Sequence, residues 1–219
     1  MPVAILVFFL ECDLSRLNSS WKVAGVFLIG GVISLVFTHL FEISMPGAAV
    51  GEFFSFLGAP AASAGITEEP AKALPLLFFM RNRSRYPYIL NGILLGAAIG
   101  AGFAAFETAG YIFESLFDET GLGCVWTALV RGALAPFMHI AWTAAIGGAL
   151  WMGAGTKGTV ADGIQTKGFV FTFVLSVVLH VLWNSPYASY WWLGMIAWLP
   201  LCYYLRKGVE QLAMEEASS

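Results

Sequence analysis

Residues 67–72 of this chain are Thr-Glu-Glu-Pro-Ala-Lys, and they interrupt a stretch from residue 53 to residue 80 that is otherwise apolar. One ionised side chain in hydrocarbon costs roughly 2.5–3.5 kcal/mol, so Glu68, Glu69 and Lys72 need partners or a function. Lys72 follows Glu68 by four residues and Glu69 by three, and both spacings bring side chains together on a helix. We therefore expect Lys72 to neutralise one of the two glutamates and to leave the other free. Pro70, which lacks an N–H, either kinks this helix or lies in its first turn.

The composition indicates a membrane protein. The chain has 219 residues, of which 58% are hydrophobic and 11% are charged, whereas soluble domains carry about 25% charged residues. Only helices and closed barrels satisfy their backbone hydrogen bonds within a bilayer, and the apolar stretches here are continuous, which favours helices. The sequence predicts an all-α, multi-pass bundle that forms one integral membrane domain over residues 1–219. A net charge of −3 without a basic patch argues against nucleic acid as a partner.

Seven apolar stretches are candidate transmembrane helices. The first is shorter than the roughly 20 residues that span a bilayer, so whether it crosses fully is left open. A short amphipathic helix within residues 48–58 would bring the total to eight helices. The seven candidates cover residues 2–14, 21–41, 53–80, 88–113, 124–152, 168–185 and 188–206.

The connections between these candidates alternate between basic and acidic or neutral. Basic connections face the cytoplasm in membrane proteins, so we expect the C-terminus to be cytoplasmic and the N-terminus to lie on the other side. The basic residues in question are Arg16, Lys22, Arg81, Arg83, Arg85, Lys157, Lys167, Arg206 and Lys207.

Other polar residues lie where lipid would otherwise surround the chain. Glu107 is in the fourth candidate span, Arg131 and His139 are in the fifth, and His180 and Asn184 are in the sixth. His180 and Asn184 are four residues apart, and Arg131 and His139 are eight apart, so each pair shares a helix face. Under the expected topology, the acids and histidines lie at the depth of the two adjacent glutamates.

Carboxylates and imidazoles together are the ligands of a borderline metal such as Zn²⁺. Three protein ligands with one open position are typical of a catalytic site, and a spare carboxylate beside bound water can act as the general base. The same residues also fit buried ion pairs and core histidines, a proton relay in a transporter, or an inactive scaffold that binds membrane peptides. An HExxH motif is absent, and the candidate spans hold no pair of aspartates, since Asp13 at the end of the first is the one Asp among them; this argues against two known intramembrane protease chemistries.

Four short motifs occur in order along successive helices, and together they resemble the PrsW family. This family lies within the wider superfamily of CAAX prenyl proteases and bacteriocin-processing enzymes, and the resemblance extends over about residues 2–205. The motifs are Glu68-Glu-Pro-Ala-Lys72, Phe103 with Glu107, Arg131 followed by Pro-Phe-Met-His139, and His180 with Asn184.

The resemblance implies an intramembrane peptidase of a bacterial cell membrane. Its expected substrate is a membrane-anchored protein, such as an anti-sigma factor cut in the first step of a signalling cascade. In this hypothesis Glu68 is the general base, while Glu69 orients its helix through Lys72 or shares the base role.

The remaining site residues take supporting roles in the same hypothesis. Glu107, His139 and His180 bind a divalent metal, Zn²⁺ by donor type; in a metal-free alternative, the two histidines hold the water and the oxyanion. Asn184 polarises the scissile carbonyl or orients His180. Arg131 stabilises Glu107 or anchors the substrate.

A face of small residues in the fourth candidate span permits close helix contact. Gly92, Gly96 and Gly100 follow one another at intervals of four residues, a pattern that lets two helix backbones approach. The contact can lie within the bundle or between copies of the chain, and the sequence leaves both alternatives and the oligomeric state open.

Overall fold

The computed structural model describes residues 2–11, 18–44, 55, 63–81, 85–117, 123–186 and 196–218. Within these residues the chain forms eight helices and no strand, which confirms the predicted helical bundle. The helices are α1 (Pro2–Glu11), α2 (Ser20–Ser44), α3 (Ala64–Met80), α4 (Ile89–Ser115), α5 (Gly123–Ala154), α6 (Val160–Ile164), α7 (Lys167–Trp183) and α8 (Trp198–Ser218).

Three of these helices, α2, α4 and α5, are long and apolar enough to cross a membrane, with 25, 27 and 32 residues. Helices α1 and α7 are apolar but shorter, and α3 carries the charged motif. The count of seven crossings and the single domain over residues 1–219 therefore stay predictions. The suggested helix within 48–58 and the first part of the last candidate span, 188–195, lie outside the described residues, apart from Ser55.

The centre of the bundle is the contact between α4 and α5, and glycine makes this contact close. A Cβ atom at Gly100 would lie 2.5 Å from the carbonyl oxygen of His139, and one at Gly92 would lie 2.6 Å from that of Gly147. Gly96, between them, likewise faces the α5 backbone. The glycine face of α4 is thus used within the bundle, where it places His139 against the middle of α4.

Helix α2 packs on another side of α4. Residues Val26–Gly30 form a π-helical turn inside α2, and Gly31 follows it at a point where an added Cβ would lie 2.6 Å from the carbonyl carbon of Gly102. Such turns insert one extra residue into a helix and change its direction locally. Because α2 and α5 both cover α4, nearly every residue of α4 from Ile89 to Ala104 is buried.

Helix α3 is held against α7 by a similar close contact. A Cβ atom at Gly65 would lie 2.8 Å from the backbone nitrogen of Val181, so the charged motif of α3 lies beside the end of α7 that carries His180. Pro70 lies well inside α3, which begins at Ala64, so the alternative that Pro70 marks a first turn is wrong. Pro70 leaves the carbonyl of Ile66 without its usual helical donor.

Candidate active site

The charged motif of α3 is buried and forms a close ion pair. The Lys72 ammonium donates to Oε1 of Glu69 at 2.6 Å, and it lies 4.0 Å from Oε2 of Glu68. Neither Lys72 nor Glu69 is exposed. Glu69 is thus the closer partner of Lys72, the pairing expected from the sequence, and the charge of Glu68 is the less compensated of the two.

His180 of α7 bridges the two glutamates of α3. Its Nδ1 lies 2.7 Å from Oε1 of Glu69, and its Nε2 lies 3.6 Å from Oε2 of Glu68. An ionised carboxylate can only accept hydrogen bonds, so Nδ1 carries the proton and donates it to Glu69. In the neutral ring, Nε2 then has a free lone pair that faces Glu68.

His139 of α5 joins the Lys72 pair to Glu107 of α4. Its Nδ1 lies 2.8 Å from the Lys72 nitrogen, and its Nε2 lies 3.2 Å from Oε2 of Glu107. An ammonium group has no acceptor, so Nδ1 accepts from Lys72, and Nε2 carries the proton of the neutral ring. Oε2 of Glu107 also lies 2.8 Å from the guanidinium of Arg131, whose cationic group stacks on the Tyr111 ring at 3.7 Å.

This buried cluster holds three carboxylates but only two permanent cations. Lys72 compensates Glu69, and Arg131 compensates Glu107, so Glu68 is left over. Its Oε2 is buried and has no hydrogen bond to any described residue. An uncompensated buried charge is strongly unfavourable, so the Glu68 carboxyl needs a proton, a bound cation or a polar substrate beside it.

The atoms that could hold a metal are those around this orphaned oxygen. Glu68, His139 and His180 each offer one ligand atom, and these atoms lie within 4.8 Å of one another. One carboxylate and two imidazoles are the ligands of several catalytic zinc sites. Ligand atoms on one tetrahedral zinc lie about 3.4 Å apart, given Zn–N bonds of about 2.1 Å, so small side-chain rotations would accompany binding. The residues fit such a metal once His139 frees one nitrogen, because its Nδ1 accepts from Lys72 and its Nε2 carries the ring proton.

The sequence hypothesis placed Glu107 as the third ligand and Glu68 as the base. In the structure Oε2 of Glu107 lies 2.8 Å from Arg131 and 3.2 Å from His139, whereas Oε2 of Glu68 lies 3.6 Å from His180 and 4.0 Å from Lys72. Neither oxygen forms a hydrogen bond with a described residue, so the difference lies in these ion-pair distances. The geometry therefore favours Glu68 over Glu107 as the carboxylate that faces the two histidines.

The sequence profile of one protein family, described as PrsW family intramembrane metalloprotease, matches residues 18–205. The chain belongs to the PrsW family. No curated protein and no solved structure matches the chain. The match confirms the predicted family and the enzyme class, an intramembrane protease whose substrate is a membrane-embedded protein. Of the three functional classes that the sequence left open, which were a protease, a transporter and an inactive peptide-binding scaffold, the match supports the protease.

The PrsW site also has an aromatic wall that sequence reasoning missed. Trp142 of α5 is buried and stacks on His180, with ring centroids 4.7 Å apart and an interplanar angle of 25°. Its ring also meets the edge of His139 at 5.5 Å. Phe103 of α4, named earlier only as part of a motif, lies 5.2 Å from the ring of His139 and 4.8 Å from the Lys72 ammonium. The available signal was that Trp142 follows His139 by three residues and so lies on nearly the same face of α5.

Asn184 is the predicted site residue with the least direct link to this PrsW cluster. It is half-buried at the C-terminal cap of α7, where its backbone N–H donates to the carbonyl of His180 at 3.1 Å. The contact between these two residues therefore runs through the backbone. The other seven predicted residues form one continuous chain of contacts from His180 to Arg131.

Proposed function

We propose that this PrsW protein hydrolyses a peptide bond of a membrane-anchored protein, with Glu68 as the general base. The observation that carries the proposal is the buried oxygen of Glu68, which has no hydrogen-bond partner among the described residues and lies beside His139 and His180. A carboxylate without competing donors is free to accept the proton of an attacking water. The same carboxyl then returns the proton to the leaving amine, as microscopic reversibility requires.

The neighbours of Glu68 fix the geometry of this step. Glu69 holds His180 through Nδ1, and Lys72 holds Glu69, so the free nitrogen of His180 stays directed at Glu68. A carboxylate that accepts from one ring nitrogen of a histidine sets the tautomer and orientation of catalytic and metal-binding histidines. Of the two catalytic roles expected for Asn184, polarising the scissile carbonyl or orienting His180, we propose the second, because Asn184 caps α7 one turn beyond His180.

In a metal-dependent version of the proposal, Glu68, His139 and His180 are the residues that would hold a divalent ion, and the donor set favours Zn²⁺. Glu68 would then be a ligand, and its role as the free base belongs to the metal-free version. When bound, such an ion supplies Lewis-acid polarisation of the water and of the scissile carbonyl. Without it, the two imidazoles are the groups nearest to the position of the water and the oxyanion. Removal of metal from the purified protein by a chelator separates these two versions, because only the first loses activity and regains it when Zn²⁺ is restored.

The distribution of basic residues supports a cytoplasmic C-terminus. One surface cavity is lined both by Arg81, which follows α3, and by Lys157, which follows α5. The Lys22 ammonium, at the start of α2, lies over the Tyr86 ring just before α4. Glu114 lies at the other end of α4, about 40 Å away at 1.5 Å of rise per residue. Basic groups thus gather at one end of the bundle, as the positive-inside rule expects of a cytoplasmic face. The family resemblance supports a bacterial cell membrane and an anti-sigma factor as substrate.

The test is cleavage of a single-span reporter protein in liposomes. The reporter is one that the wild-type chain cuts, and its cleavage is compared with that by the His139→Ala and His180→Ala variants. Loss of one positioned proton-transfer or ligand group costs about 100-fold or more, so we expect both variants to lose at least that factor at unchanged thermal stability. If both variants keep rates near that of the wild type, the site lies elsewhere.

A further inference from the structure

The catalytic cluster is closed on one side and accessible on the other. Exposure of the side chain is 0% for Glu69 and Lys72 and 7% for Glu68, but it rises to 13% for Glu107 and 28% for Arg131. A substrate backbone must reach Glu68 from somewhere, and the described residues offer the least protein cover at Arg131. The approach to the site therefore runs past Arg131 and Glu107.

A cleft of about 420 Å³ opens at this point, between the last turns of α4 and the first turns of α5. Its volume lies within the range of about 300–1,000 Å³ that is usual for ligand sites. Arg131 belongs both to the cleft and to the catalytic cluster, since its guanidinium contacts Glu107. The remaining residues that line the cleft are Tyr111, Glu114, Ser115, Trp126, Thr127 and Val130.

The cleft offers one donor that a peptide could use. The Nε–H group of Arg131 is buried and has no acceptor among the described residues. A buried donor that lacks a partner costs free energy, and a backbone carbonyl of an extended peptide would remove that cost. Tyr111 and Trp126 add aromatic surface of the kind that is enriched where peptides bind.

The charge of the cleft selects the kind of peptide. Among the described residues that line it, Glu114 is the acid, and the one cation, Arg131, is already paired with Glu107. No basic group of the described residues forms an ion pair with the exposed Glu114. A cationic side chain that enters the cleft would thus meet a carboxylate that has no competing partner.

We propose that this cleft binds an extended segment of the protein substrate and that Glu114 favours a Lys or Arg side chain beside the scissile bond. The inference rests on the proposed active site, and it adds the substrate class that the site accepts. Glu114 acts here as a specificity residue and takes no part in proton transfer.

The first experiment measures which reporters are cut. A library of single-span reporter proteins with six randomised residues at the end of the span is reconstituted with the enzyme, and cut and uncut members are sequenced. We expect Lys and Arg to be enriched threefold to fivefold over Asp and Glu at one position in the cut pool, in line with one partly screened charge pair. The Glu114→Lys variant reverses this preference, and high salt weakens it.

Two controls make this result decisive. Glu42→Lys changes the charge of an exposed acid on α2 and leaves the preference unchanged. His180→Ala is run on the same library. If this variant cuts like the wild type, the proposed active site is wrong. If His180→Ala is inactive but Glu114→Lys keeps the wild-type preference, only the proposal about the cleft is overturned. If neither Lys nor Arg is enriched among the reporters that the wild type cuts, the proposal about the cleft is overturned as well.

The second experiment fills the cleft. Thr127→Trp places a large side chain in it, and we expect KM to rise at least fivefold with kcat within a factor of two. Leu129→Trp is the matched control, because Leu129 points away from the bundle and is 63% exposed. A photo-crosslinker at position 127 in the Glu68→Gln variant captures basic reporters without any cleavage. A KM within twofold of the wild type in Thr127→Trp, or capture that ignores reporter charge, contradicts the proposal.

Discussion

The Gly100→Ala substitution tests whether the contact between α4 and α5 positions the catalytic histidine. An added methyl group at Gly100 would lie 2.5 Å from the carbonyl oxygen of His139 and 3.0 Å from the Cα atom of Ile140. Heavy atoms in contact are about 3.5–4.0 Å apart. The backbone of α5 at His139 must therefore move away from α4 by about 1 Å, since neither contact is with a flexible side chain.

The size of the expected effect follows from this displacement. A misplacement of about 1 Å in an active site lowers the rate by about 100-fold, and overpacking of a core costs about 1–3 kcal/mol of stability. We expect the kcat of Gly100→Ala for reporter cleavage to fall by that factor. The assay pairs reporter cleavage in liposomes with thermal unfolding of the same preparation.

Two glycines of the same helix serve as controls. Gly92→Ala creates a similar clash, at 2.6 Å from the carbonyl oxygen of Gly147, but about 12 Å further along α4 at 1.5 Å per residue. Gly110→Ala meets nothing within 4 Å and should leave both stability and rate unchanged or slightly improved. If Gly100→Ala and Gly92→Ala lose equal stability and also equal activity, the displacement of His139 is not the cause, and the reasoning is refuted.

Further predictions concern the groups around the histidines. Trp142→Leu removes the ring that stacks on His180, and we expect kcat to fall about 10–100-fold, as when a group that orients a catalytic histidine is lost, with partial recovery in Trp142→Phe. Trp151→Leu is the matched control: the Trp151 ring donates to the carbonyl of Tyr86, and its loss should lower thermal stability and leave kcat unchanged. Equal kcat losses in the two leucine variants would argue against a positioning role for Trp142. Glu69→Gln removes the carboxylate 2.6 Å from the buried Lys72 ammonium and leaves it only Glu68, at 4.0 Å, so it should lower the unfolding free energy, by at most the roughly 3–5 kcal/mol of a fully broken buried pair. The double variant Glu69→Gln/Lys72→Met should regain most of that stability in a denaturation assay without regaining cleavage. If Glu69→Gln alone is as stable as the wild type, Lys72 and Glu69 do not form the ionised pair described above.

The sequence was informative wherever an energetic cost made a residue conspicuous. Charges inside apolar stretches are expensive, so Glu68, Glu69 and Lys72 could be singled out, and the helical spacing of Lys72 allowed its pairing with one of the two glutamates to be expected. The order of the motifs then led to the family. The close approach implied by Gly92, Gly96 and Gly100 was also readable, since small residues at this interval have few other uses in membrane helices.

Other parts of the site depend on contacts between helices that no single spacing determines. Glu68 belongs to a charged motif and Glu107 has no charged neighbour in sequence, but only the three-dimensional arrangement shows that Arg131 engages Glu107 while Glu68 faces the histidines. Trp142 escaped notice because an aromatic residue in an apolar helix has no cost that would mark it. The partner of the glycine face was likewise undetermined until α5 could be placed against it.

The central claim is that Glu68 is the base of the peptidase, and the most direct measurement is the single-turnover cleavage rate of the Glu68→Gln variant. Glutamine keeps the shape of the side chain but cannot take up a proton, and general base catalysis contributes about 100- to 10,000-fold. We predict a fall of at least 100-fold, with thermal stability equal to or above that of the wild type, because the substitution removes an uncompensated buried charge. A rate within tenfold of the wild type for a folded Glu68→Gln protein would contradict the account.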